Sequence, residues 1–270
     1  MYGIDVSEHS GRVDWATVKQ SGKTFAFVRA TEGVTVKDTA FSRHWPVIKT
    51  YGTIIRGAYH YFHPLTSDPV KQAQEFLKTV GKLQVGDFPP VLDVETTDGA
   101  GAGTVVNAMK KWLAEVEKAI QQQTGKKLKP IIYTSPNFWI NTLGNPSDFA
   151  SYPLWIAHYG VDEPWVPGSW GTGNWTIHQY EGDTGNIAGV SGHGDLNKFN
   201  LIQPGATGPR VKEIQQRLKA FQKPEFDPGN VDGNYGSRTK SAVMAFQKSK
   251  NLLPPDGIIG PKTWVALLWA

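Results

Sequence analysis

The sequence predicts an α/β fold: an incomplete (β/α) barrel of about eight strands with few helices in its later half, followed by a small all-α domain of three helices. Three observations predict it. Over residues 1–200, apolar runs short enough to be buried strands alternate with amphipathic stretches, the pattern of a parallel sheet covered by helices. From Pro130 onward the stretches between runs turn loop-like and rich in Pro, Gly and Trp, so the later crossovers are expected to lack full helices. Beyond residues 201–207, where Pro204 and Gly205 break the pattern and mark a linker, the texture becomes helical. The expected domains are therefore 1–200 and 208–270.

In chain order, strands are expected at 3–6, 24–29, 53–62, 91–95, 130–134, 154–159, 175–180 and 194–196. Helical stretches fall at 14–19, 41–51, 69–79 and 104–123. The last of these carries Val105, Met109, Trp112, Val116 and Ile120 at steps of four, three, four and four, one apolar helical face expected to be buried. In the tail, Val211, Ile214, Leu218 and Phe221 form an apolar stripe, with Pro209 suited to a first helical position. A second tail helix starts near Ser237 with Ala242, Val243 and Phe246, and a third near Pro261 with Trp264, Leu267 and Leu268. Both follow the same pattern, Asp-Gly-x-x-Gly-x-basic-Thr, beginning at Asp232 and again at Asp256. Its glycines supply turn dihedrals. A calcium loop needs an acid at its twelfth position, where Val243 stands, so no metal is expected there.

Composition narrows the class. The chain has 270 residues, 39% of them apolar and 19% charged, as in an ordinary globular protein with ample core. No apolar run reaches the length that crosses a bilayer, so membrane insertion is not expected. The first residues enter a strand-like pattern with no basic or apolar leader evident. Cysteine is absent, which excludes disulfides, thiolate catalysis and cysteine metal sites. Residues 201–270 carry a formal charge of +5, while the whole chain has +4. Such a basic excess suits an anionic polymer, or simply a solvated helix face.

The chemistry centres on Pro89-Pro90-Val91-Leu92-Asp93-Val94-Glu95. Residues two apart on a strand share a face, so Asp93 and Glu95 are expected to point together, about 6 to 7 Å apart at Cα. Two acids on an apolar strand repel each other and lose solvation, which keeps one protonated near neutral pH. Barrel chemistry sits at the C-terminal ends of the strands. Asp5, Arg29 with Glu32, Tyr59, Tyr61, Tyr133, Trp155, Tyr159, Gln179 and Asp195 all fall at or near such ends. His60 and His63 lack a third ligand and read as hydrogen-bonding residues.

In these segments the first 200 residues resemble glycoside hydrolase family 25, the Chalaropsis-type lysozymes or muramidases. The resemblance is carried by YGIDVSEHSG, FAFVRATEG, IIRGAYHYFHP, PVLDVE, IIYTS, PLWIAHYG, WTIHQYE and GDLNKF, in the family's order. The tail resembles the type 1 peptidoglycan-binding domain through GPRVKEIQQRLKAF, VDGNYGSRTKSAVMAFQ and PDGIIGPKTWVALL. The resemblance implies a cofactor-free muramidase acting on bacterial peptidoglycan, with Glu95 as general acid and Asp93 as second carboxylate. It places Asp5 and Asp195 in the same catalytic cluster, and Arg29, Glu32, Tyr59, Tyr61, Tyr133, Trp155, Tyr159 and Gln179 around the sugar. Arg29 stands where the family commonly has Lys, and Ser10 where it has Asn or Gln. A monomer that binds no nucleic acid is expected, working as a phage endolysin or, alternatively, as a secreted autolysin.

Same-face acids can serve an inverting, a retaining or a substrate-assisted route, the last using the sugar's own N-acetyl group. The third route is favoured here. A chitinase would carry acids in the spacing D-x-x-D-x-D-x-E, but the first two fall on Phe88 and Val91. A non-catalytic wall binder would lack the acids.

Overall fold

The computed structural model describes all 270 residues, in two compact units. One spans Tyr2–Lys198; the other holds Phe199–Ala270 together with Met1. In the larger unit, β1 (Tyr2–Val6) leads through α1 (Trp15–Gln20) to β2 (Lys23–Glu32), then the two-residue β3 (Val36–Lys37) and α2 (Phe41–Thr50). There follow β4 (Ile55–Tyr61), α3 (Pro69–Val80), β5 (Val91–Asp93), α4 (Ala102–Thr124) and β6 (Ile131–Thr134). Last come β7 (Leu154–Ala157), β8 (Ile177–Thr184) and β9 (Gly194–Phe199).

Local chemistry sets the helix ends. Asp14 caps α1 by accepting from the Ala16 amide, and Asp68 caps α3 by accepting from Lys71, with Pro69 in the first turn. The long α4 stops at Gly125, which takes the left-handed conformation with φ of 71°. The stripe expected on α4 is the buried one: Val105, Met109, Trp112, Val116 and Ile120 are all fully covered.

All nine strands form one sheet, closed by pairing of β1 with β2. Neighbours from β1 through β8 run parallel, apart from the small antiparallel flap of β3 on β2. The flap escapes the sequence reading because two residues carry no period. The closing strand differs from the parallel expectation: β9 lies between β8 and β1 and runs antiparallel to β1. After β6 the crossovers have no α-helix, only a short π-helical turn at Phe138–Thr142, as the Pro- and Gly-rich texture indicates.

The barrel interior is filled by aromatic rings. Phe27 packs against Trp155 at 4.4 Å and Phe88 at 4.9 Å between centroids. Phe25 faces Gly3 across the β1–β2 pair, and Phe27 faces Gly57 across the β2–β4 pair. A Cβ on Gly57 would lie 2.2 Å from the Phe27 ring, so only glycine leaves that ring its place.

The smaller unit contains α5 (Pro209–Ala220), α6 (Ser237–Ser249) and α7 (Pro261–Trp269). Within it, residues 201–207, expected as a linker, pair at Ile202 with Ile259 and at Thr207 with Asn234. The repeated pattern before α6 and α7 builds the same network twice. Gln215 on α5 donates to Asp232 Oδ1, the Asn234 carbonyl and Thr239 Oγ1, and accepts from the Gly233 amide. Gln247 on α6 does the same with Asp256, Ile258, Thr263 and Gly257. No helix of the protein is long and apolar enough to cross a membrane.

Candidate active site

A pocket of about 250 Å³ opens at the end of the barrel where the parallel strands finish. The strand ends supply its walls: Asp5 from β1, Arg29 from β2, Tyr59 and Tyr61 from β4, Asp93 from β5 and Tyr133 from β6. Trp155 from β7, Gln179 from β8 and Asp195 from β9 complete the ring, with Glu95 and Tyr159 just past their strands. Every residue expected at the site is therefore in this lining except Glu32. Because β9 runs the other way, Asp195 reaches the same end from the start of its strand, opposite Asp5 in register.

Strand β5 ends at Asp93, two residues short of the expected end. The extended path still holds for one residue more, since the Val94 amide donates to the Tyr133 carbonyl and Phe62 donates to Asp93. Glu95 then stands at the exposed mouth, while Asp93 is 6% exposed within. The Asp93 Oδ1 atom has no hydrogen-bond partner in the protein. Burial, the Glu95 charge and the Asp5 charge push the Asp93 carboxyl well above the ordinary range. Surrounding protein and the Asp195 charge raise Glu95 as well. The pair titrates together, so it keeps a proton to higher pH than free carboxylates do.

Asp5 is fixed from two sides. Its Oδ1 accepts from Gln179 Nε2 at 2.9 Å and from Asn197 Nδ2 at 2.7 Å. Burial and the neighbouring Asp195 raise its pKa well above the usual value despite those bonds. Gln179 Oε1 in turn accepts from the hydroxyls of Tyr133 and Tyr159, both at 2.8 Å, which orients its amide. Asn197 also accepts from Trp155 Nε1 at 2.8 Å. The sequence reading passed over Asn197, although it lies two residues from Asp195 on one strand and so shares its face.

Trp155 is 2% exposed and forms the floor of the pocket, whereas Tyr159 is 54% exposed at its rim. Tyr159 also borders a second, open pocket of about 460 Å³ with Asp162, Tyr180 and Glu181.

Arg29 is gripped by three acids, of which the sequence singled out only Glu32. Its Nε donates to Asp38 at 2.9 Å and its terminal nitrogens to Glu32 at 3.3 Å and Glu8 at 3.2 Å. Glu32 thus stands behind Arg29, outside the lining, because one oxygen is taken by Arg29 and the other faces His63. His60 is fully buried between Thr31 and Gln72, stacked on Trp112.

Residues 4–190 match the model of glycosyl hydrolases family 25, and residues 207–267 match that of a peptidoglycan binding domain. The chain is similar to lysozyme M1 of Streptomyces globisporus, with 36% identity over 203 residues, 73% of this chain and 67% of that protein. It is 33% identical to the autolytic lysozyme of Clostridium acetobutylicum over 262 residues, 93% of this chain and 74% of that protein. Among solved structures, the bacterial lysozyme from Streptomyces coelicolor superposes with a TM-score of 0.66 at 34% identity, covering 74% of this chain and 92% of that one. The chain belongs to glycosyl hydrolases family 25 and is a glycoside hydrolase.

Proposed function

We propose that this chain is a lysozyme that hydrolyses the β-1,4 bond between N-acetylmuramic acid and N-acetylglucosamine in bacterial peptidoglycan. The observation that carries the reading is the convergence of Asp93 and Glu95, both with raised pKa, in one aromatic-walled pocket beside Asp5 and Asp195. Glu95, at the mouth, protonates the glycosidic oxygen as general acid. In the complex, where the Arg29 charge and the substrate's amide N–H favour an anionic Asp93, the pair's proton sits on Glu95 and Asp93 supports the charge growing on the sugar. Its unpartnered Oδ1 suits the amide N–H of the substrate's N-acetyl group, whose oxygen attacks the anomeric carbon. Asp5 and Asp195 set the field of the pocket. Arg29, Tyr59, Tyr61, Tyr133 and Gln179 line the sugar, Trp155 supports it from below, and Tyr159 leads toward the second pocket.

Two carboxyl groups suffice for this chemistry without a cofactor. Residues 1–200 are the catalytic domain in this reading, and 208–270 bind the wall. The working form is a monomer that engages peptidoglycan and no nucleic acid. A wall hydrolase joined to a wall binder suits a phage endolysin freed when the inner membrane is breached. The match to the Clostridium autolytic lysozyme, which runs through the tail, favours a second setting, a bacterial autolysin. A holin gene alongside would favour the first.

Glu95→Gln tests the assignment. Lysis of wall suspensions should fall by more than about 100-fold, the lower range for a lost acid catalyst. Unchanged lysis would sink the reading, and chitin cleaved as fast as peptidoglycan would redirect it to a chitinase.

A further inference from the structure

We propose that His63 is a positioning residue that ties the loop carrying Glu95 to the strand carrying Arg29. This rests on the lysozyme reading only for what Glu95 does. The histidine lies two residues past β4, with Nδ1 2.9 Å from Asp98 Oδ1 and Nε2 3.1 Å from Glu32 Oε1. Both partners are carboxylates, so only the charged ring, which donates from both nitrogens, satisfies both.

Each end of the tie is anchored. Buried Gln72 on α3 accepts from the His63 amide at 3.1 Å and donates to its carbonyl at 2.6 Å, fixing the backbone. Glu32 spends its second oxygen on Arg29. At the far end, Asp98 is three residues after Glu95 and takes a left-handed φ of 50°, a conformation other than glycine resists. It is held there by Thr96 Oγ1 at 3.2 Å and by the Leu65 amide at 3.4 Å, as well as by His63. The tie therefore runs from the general acid's loop through Asp98, His63 and Glu32 to Arg29.

The groups that face the ring are Asp98 from the loop, Glu32 from β2, and Tyr61 from β4, its ring 5.3 Å away. Arg29 acts through Glu32, and neutral His60 lies on β4, the strand that leads into His63. Burial opposes charge on His63, but the bonds to Asp98 and Glu32 outweigh it and raise its pKa above that of a free histidine. The tie is complete below that raised pKa and weakens as pH rises through it.

Two measurements on the full-length protein test this. The first is kcat and KM against pH on soluble glycan fragments; the second is amide hydrogen exchange at residues 95–99 at about pH 6 and about pH 9. In the parent protein, kcat and loop protection should both decline on the alkaline side. His63→Gln should lower kcat about tenfold at the acid side with KM within about twofold, and make the loop's protection, corrected for the intrinsic exchange rate, independent of pH. Asp98→Asn, which leaves the Gln72 anchor intact, should move the alkaline decline to lower pH. Profiles and exchange unchanged in both variants would overturn the proposal while the parent still cleaves. A parent that cleaves nothing would overturn the lysozyme reading, and the exchange data would still judge the tie.

Discussion

Asp93 shows how burial converts an ordinary side chain into a reactive one. It sits at 6% exposure with Glu95 and Asp5 nearby, and one of its oxygens is left without a partner by the protein. Asp93→Asn keeps the shape and removes the charge. It should lower kcat by about 100-fold or more with little change in KM, since charge on the sugar grows only in the transition state. The same assay followed by NMR of the first-formed sugar anomer should show retention; net inversion would rule out participation of the N-acetyl group. At this scale the sequence was most legible, because barrel strand ends converge and Asp5, Arg29, Asp93 and Gln179 announce themselves as polar groups in apolar runs. Glu32 was expected around the sugar and instead stands behind Arg29, because adjacency in sequence to Arg29 does not say which side of the strand end a carboxylate takes. Glu8 and Asp38 were missed since one lies in a three-residue 3-10 turn and the other in a loop, where no period marks them.

At the level of elements, periodicity located the helices and all the barrel strands, while the sense of β9 and the strand ends came only from the structure. Parallel order needs a crossover of about a dozen residues or more, and residues 185–193 between β8 and β9 are too few, which in retrospect is the signal for its antiparallel sense. Glycine opposite phenylalanine is the device that packs the barrel. Gly57→Ala should destabilise the larger unit by about 1–3 kcal/mol, the usual cost of overpacking a filled core. The methyl group would meet Phe27 at 2.2 Å with Phe88 behind it. Thermal melting checks this, and adding Phe27→Leu should recover part of the loss; a melting temperature unchanged in Gly57→Ala would show that the barrel yields more easily than close packing implies.

For the whole molecule, the two units differ in charge as well as in fold. The pocket is acidic, and the basic excess of the chain lies in residues 201–270. Deleting 205–270 should weaken co-sedimentation with purified walls severalfold, in proportion to the lost basic surface, and spare cleavage of soluble fragments. Equal sedimentation of the two forms would contradict a wall-binding tail. The repeated Asp-Gly pattern was visible in the sequence, but its purpose was not. Glutamines at unequal distances before the two loops complete the networks, and so variable a spacing leaves no motif.

That duplicated glutamine network links the helices of the small unit in series. Gln215 on α5 fastens the turn that starts α6, and Gln247 on α6 fastens the turn that starts α7. Each helix holds the latch for its successor. The middle helix is both latched and latching, so loosening it frees two joints at once, while loosening either outer helix frees one. The unit therefore behaves as a short series of locks in which α6 is the common key.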